Sequence, residues 1–220
     1  MIVLAAAAVP AIVTQVAQRT EQAERGVVGV RVHRVFDVHA GPYHRHDDLQ
    51  FSAVEQNDTI VKVRIITQTT NGKETDANTK TQTANRYEHP APGDLLDRPF
   101  DSRYVKDYSY TVVNATTIGF KSLVHDAGHG DGTFTIDSSD NVTSYEYTPN
   151  VFPQYTTSGN VTDQRAQVLP NYWALTQELY QYKGHYALFG AAATATITYG
   201  NYESFSDLST ALSALAAGRF

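Results

Sequence analysis

The sequence predicts a mainly antiparallel β protein with an N-terminal helix and a short C-terminal one. Three observations carry this. From Val27 onward apolar residues recur with a period of two, only one long segment has helical spacing, and turn-forming residues separate the runs.

The helical segment is AIVTQVAQRTEQAER, residues 11–25. Ile12, Val13, Val16, Ala17, Thr20 and Ala23 fall on one side of it, so a helix is expected over 12–25, with Gly26 as its terminator. The period then changes. In VVGVRVHRVF, Val28, Val30 and Val32 share one face while Gly29, Arg31 and His33 share the other. Leu49, Phe51 and Ala53 share a face in LQFSAV, and Val61, Val63 and Ile65 alternate with Lys62 and Arg64 in TIVKVRIIT. One apolar and one polar side per strand is the pattern of an antiparallel sheet covered on one face.

Asn71-Gly72 is a hairpin signal, and the polar arm after it, KETDANTKTQT, reads as an edge strand or a ribbon in solvent. Further strands are expected over 108–113, 118–124, 133–136, 142–147, 164–168, 172–182 and 185–199. SSDN (138–141) and Lys183-Gly184 read as hairpin turns. Residues 87–101, YEHPAPGDLLDRPFD, are too rich in proline for a central strand and read as a lid or binding loop. In DLSTALSALAAG, Leu208, Leu212 and Leu215 have the spacing of a short closing helix.

The domain organisation expected is a signal-peptide remnant over 1–11, one β-rich domain over 12–206 and a helical tail over 207–220. MIVLAAAAVPA has the apolar core and small-residue end of an export signal but no basic residue before it, so the first turn of a buried helix is the alternative. With 220 residues and 41% hydrophobic composition the chain can build one core, and 18% charged residues is too few for a disordered chain. A net charge of −6 with no run of Lys and Arg excludes a nucleic-acid surface. The absence of cysteine excludes disulfides, thiolate chemistry and an N-terminal lipid-bearing cysteine. No apolar run reaches the roughly 18 residues of a membrane helix.

The stretch DVHAGPYHRHDD, residues 37–48, is dense in histidine and acid. If residues 40–43 form the turn, His39 faces His44, Asp37 faces His46, Val32 meets Phe51 and Val30 meets Ala53. A slip of one residue would break the apolar match. Asp37, His39, His44 and His46 then gather on the polar face as candidate Zn²⁺ or Cu²⁺ ligands. A solvated tip lacks a dry wall, so a polar strand face is the plainer alternative. In HDAGHGDG (125–132), His125, Asp126, His129 and Asp131 stand among glycines, which favours a tight connection over a catalytic centre. Serine-nucleophile, phosphate-loop and dinucleotide motifs are absent.

The helix entering a strand in AIVTQVAQRTEQAERGVVGVRVHRVF, the hairpin GTFTIDSSDNVTSYEY, and the closing strands VLPNYWALTQELYQYKGHYALFG and NYESF resemble the lipoprotein-carrier superfamily of LolA-like and RseB-like proteins. The likeness spans most of 11–206. It implies a curved sheet or incomplete β-barrel wrapped around the N-terminal helix, whose concave apolar face holds acyl chains in the cell envelope.

The function expected is therefore that of a soluble exported protein, periplasmic or extracellular, without enzymatic activity or cofactor. It would bind an apolar, lipid-like molecule or a lipoprotein acyl chain on a face built from Val30, Val32, Phe51, Val63, Ile65, Phe134 and Ile136, with Leu95, Leu96 and Phe100 as the lid. One alternative is a secreted structural subunit that self-associates by strand addition along an exposed Thr-rich edge, residues 67–83. The other is a metal-dependent hydrolase built on a histidine cluster.

Overall fold

The computed structural model describes residues 8–91, 96–186 and 189–220. Helix α1 (Ala11–Ala23) leads into a meander of β1 (Val27–Ala40), β2 (Tyr43–Gln56), β3 (Thr59–Thr70) and the two-residue β4 (Lys73–Glu74). Helix α2 (Ala77–Glu88) and a connection ending in a 3₁₀ turn at Val105–Asp107 take the chain to the far edge. A second meander returns through β5 (Tyr108–Val112), β6 (Thr117–Ser122), β7 (Gly130–Ile136), β8 (Val142–Pro149), β9 (Thr156–Leu169), β10 (Tyr172–Tyr186) and β11 (Phe189–Phe205), and helix α3 (Leu208–Ala217) follows. Because β11 pairs with β1, the eleven strands of the described residues form one antiparallel sheet in the order β4-β3-β2-β1-β11-β10-β9-β8-β7-β6-β5. Its two edges do not meet, so the barrel is open.

Periodicity explains how the sheet is covered. Buried Val13, Val16, Ala17, Thr20 and Ala23 recur every three or four residues along α1. Val13 and Val16 insert among Phe100 of the connection and Ile118, Phe134, Tyr145 and Val161 of the second meander. The first meander is covered by α2, whose Ala84 and Tyr87 pack on Val30, Val32, Phe51 and Val63, with the Phe51 and Tyr87 rings 4.6 Å apart. On the outer face, Ala211, Ala214 and Leu215 of α3 pack with Phe220 against Val54. Gly29 lies under the Phe220 ring, where a side chain would collide with it.

Four expectations are corrected. The polar arm 73–83 is a strand only at Lys73–Glu74 and then becomes α2, so no Thr-rich ribbon over 67–83 lines an edge. The Asp76 carboxylate accepts the Thr79 N–H at 2.9 Å and starts the helix, which apolar contact with Phe51 then holds. Lys183-Gly184 is not a turn, since β10 continues to Tyr186 and pairs back from Phe189. Gly184 is needed because the Tyr155 carbonyl occupies the space its side chain would take. A register shift between Val54 and Glu55 turns Ile60, rather than Val61, toward the inner core. Helix α1 ends at Ala23, two residues short of the span expected. Of the N-terminal segment, residues 1–7 lie outside the described residues, and Val9 packs on the α1 cluster. Among the described residues no helix is long and apolar enough to cross a membrane.

At the base of the sheet the residue after α1, Glu24, is buried with two arginines. Arg98 approaches its Oε1 at 2.9 Å and its Oε2 at 3.1 Å, and Arg165 from β9 donates to Oε1. Arg98 also reaches Asp58, in the β2–β3 turn, at 2.7 Å. Burial opposes the Glu24 charge, but the two arginines outweigh it and hold its carboxyl below the usual carboxylate range.

Replacing Glu24 with Gln removes the carboxylate that pairs with buried Arg165, and unfolding in urea should register a loss of about 3–5 kcal/mol. A loss under about 1 kcal/mol would show that the cluster does not fasten these segments.

Candidate functional site

Side chains alternate across a strand, so the register assigns whole rows of residues to the inner face. One row runs Phe36, Ala195, Tyr180, Val161, Tyr147 across β1, β11, β10, β9 and β8. The next, toward the β1–β2 tip, is Val38, Ala193, Tyr182, Gly159, and beyond it Ala40, Ala191, Gly184. Helix α1 fills the β5–β9 side of this face and α2 fills the β2–β3 side. The rows of alanine and glycine between them are left uncovered near the tip.

The result is a cavity of about 450 Å³ lined by Phe36, Val38, Ala40, Tyr182, Ala191 and Ala193, with residues 153–156 as its outer wall. Tyr43, Tyr155 and Tyr186 stand exposed around its mouth, and Phe189 is exposed beside them. The Tyr186 ring lies 6.3 Å from that of Tyr43 and 5.8 Å from that of Tyr155. Tyr155 has φ of 69°, a conformation a bulky side chain rarely adopts. His185 N–H, donating to the Tyr155 carbonyl at 3.0 Å, holds it there. Another depression, about 660 Å³ beside α2, is lined among the described residues by Gln82, Asn85, Arg86, His89 and Ala91.

Below the cavity the inner face turns polar. Its next row is Arg34, Ile197, Glu178, Asp163, Tyr145. Arg34 stacks 5.4 Å over Phe36, and Tyr199 donates to Glu178 Oε2 at 2.5 Å. Burial raises the Glu178 carboxyl, and the two tyrosine hydroxyls beside it work against that rise. Burial, reinforced by the neighbouring Glu178 charge, pushes Asp163 up to about 8, and its Oδ1 has no hydrogen-bond partner among the described residues. Toward the base, burial and then the charges of Asp58 and Glu24 push Glu55 up to about 8. The interior thus grades from apolar at the open end to protonated acids and ion pairs at the base.

The residues expected to form the ligand face occupy other places. Val30, Val32, Phe51 and Val63, with Ile65 against them, form the core under α2. Phe100, Phe134 and Ile136 are buried in the cluster under α1, with Leu96 packed on it. None of these lines the 450 Å³ cavity. Leu95 lies outside the described residues. The alanines of GAAATATI that line the cavity carry little hydrophobic signal in the sequence. The signal for the cavity was the row of small residues facing Phe36, Val38 and Ala40.

The first hairpin has the register expected: Asp37 pairs with His46, His39 with His44, Val32 with Phe51 and Val30 with Ala53. The side chains of Asp37, His39, His44 and His46 lie on the outer face, away from the cavity. Asp37, His39 and His44 bring one ligand atom each within 4.8 Å of one another, and His46 Nδ1 meets Asp37 Oδ1 at 2.8 Å. Of the second cluster, His129 is buried and its Nδ1 lies 2.7 Å from Asp126 Oδ1, while Asp131 accepts the Ser122 N–H at 2.9 Å. These contacts tie down the connection between β6 and β7.

No family model matches the chain, and no curated protein sequence matches it. Solved structures do resemble it. A LolA superfamily protein from Nitrosomonas europaea is 7% identical, with a TM-score of 0.38 over 90% of this chain and 96% of that one. A putative outer membrane lipoprotein-sorting protein domain from Vibrio parahaemolyticus is 9% identical, with a TM-score of 0.44 over 94% and 96%. The MucA/MucB complex of Pseudomonas aeruginosa contributes a chain 9% identical, with a TM-score of 0.29 over 90% and 100%. The likeness is loose, and the functional reading rests on this chain's own residues.

The elevated Glu55 sets a pH dependence. Unfolded Glu55 ionises near its ordinary value of 4.5, whereas the folded carboxyl keeps its proton to about 8. Stability from this group is therefore present below 4.5 and is lost as pH rises to about 8. Glu55→Gln should flatten the decline between urea midpoints at pH 5 and pH 8, and be the more stable protein at pH 8 by up to about 4 kcal/mol. Parallel profiles would refute the assignment.

Proposed function

We propose that this protein binds an apolar or amphiphilic small molecule of lipid-like character in the cavity at the open end of its half-barrel. The observation that carries the proposal is the cavity itself, about 450 Å³ with a largely apolar lining and aromatic side chains around its mouth. That volume lies within the roughly 300–1,000 Å³ of small-molecule sites. Each methylene buried there contributes about 0.8 kcal/mol, so a chain of ten supplies about 8 kcal/mol before the cost of ordering it. Affinity of that size needs no polar machinery. The tyrosine hydroxyls at the mouth suit a ligand whose polar end stays near water.

The proposal assigns binding and no reaction. Its finer form is an acyl chain carried in an exported location, which lipopeptide competition and cell fractionation would test separately. The direct test is uptake of a fluorescent fatty acid by delipidated protein. Saturable binding is expected, displaced by unlabelled fatty acid and lost in Ala193→Phe, which fills the cavity from its floor while circular dichroism stays native. Absence of uptake, or full uptake by Ala193→Phe, would overturn the proposal.

A further inference from the structure

The outer face of the same hairpin carries a second, independent arrangement. Antiparallel pairing sets His39 directly opposite His44, and their rings stack at 4.3 Å with an interplanar angle of 19°. Asp37, two residues along β1, projects from the same face, and its Oδ1 lies 3.7 Å from His44 Nε2. The three ligand atoms fall within 4.8 Å of one another. His46, paired with Asp37 across the ladder, holds the same carboxylate at 2.8 Å and so orients it. His33, on the same face farther from the tip, instead pairs with Asp48 at 3.1 Å and has no place in the group.

We propose that Asp37, His39 and His44 form a site for a divalent transition-metal ion, which staples β1 to β2 at the hairpin tip. Two imidazoles and one carboxylate suit Zn²⁺, Cu²⁺ or Ni²⁺, whereas Ca²⁺ and Mg²⁺ demand oxygen ligands. The three residues come from both strands, so the ion adds a side-chain cross-link to the backbone pairing of the hairpin at its tip. The residues between them, Val38, Ala40 and Tyr43, face inward and line the cavity. The ion therefore steadies one wall of the mouth from behind. Carboxylate orientation by His46 supplies the supporting contact that such ligands require.

The test uses the full chain, without a histidine tag and treated with chelator, titrated with Zn²⁺ by calorimetry at neutral pH. One ion per chain is expected, with a thermal midpoint that rises with Zn²⁺ concentration. His39→Ala and His44→Ala should each weaken binding at least about tenfold and abolish the thermal shift. His33→Ala should keep both. The substituted histidines are at the surface, and circular dichroism confirms that each variant folds. Failure of the untagged chain to take up Zn²⁺ would overturn the proposal, as would binding that survives His39→Ala and His44→Ala. Equal loss in His33→Ala would also overturn it, since that is the signature of non-specific binding.

Discussion

The buried carboxylate of Glu24 is the point on which the rest of this architecture hangs. It follows α1 directly, and around it meet Arg98 of the long connection, Arg165 of β9 and, through Arg98, Asp58 of the β2–β3 turn. Taking these charges out of water is costly, and only their mutual pairing offsets the cost. An arrangement of that kind tolerates little displacement. It brings together four segments far apart in the chain, so it sets where α1 lies in the concave face and where the connection crosses. Arg98 and Arg165 also stack against Phe100, which ties the ionic base to the apolar cluster above it.

The position of α1 decides what remains uncovered. With α1 over the second meander and α2 over the first, no helix of the described residues packs on the strip formed by β1, β11 and β10 near the β1–β2 tip. Larger side chains along that strip would close the gap. Instead β11 presents Ala191, Ala193 and Ala195 inward, and β10 presents Gly184. A hollow follows from small residues facing one another across a sheet that the helices cannot reach. The same curvature leaves the outer face of the tip in water, where the histidines and acids sit.

Much of this was legible beforehand, and the reason is local. The β1–β2 register could be read because apolar residues on both strands match in only one alignment, and the cross-strand pairs of Asp37, His39, His44 and His46 follow from it. Helix α1 was legible from its stripe, and α3 from its leucines. Helix α2 was not, because ANTKTQTANRYE offers almost no apolar periodicity; its helical state depends on the Asp76 cap and on Phe51 beneath Tyr87. Gly184 looked like turn chemistry, whereas its role is to admit the backbone of Tyr155, a residue 29 positions earlier.

The sequence by itself determined which residues share a face, because a strand alternates every residue and a helix repeats every 3.6. It thereby settled an antiparallel sheet, its first hairpin and the helices that carry a stripe. It did not decide which of the apolar faces is core and which is cavity. Val30, Val32 and Phe51 proved to be filled in, and Ala191 and Ala193 to border empty space. That outcome depends on what lies opposite, and what lies opposite is placed by contacts between residues such as Glu24, Arg98 and Arg165. No periodicity links those positions, so only the tertiary structure could bring them together.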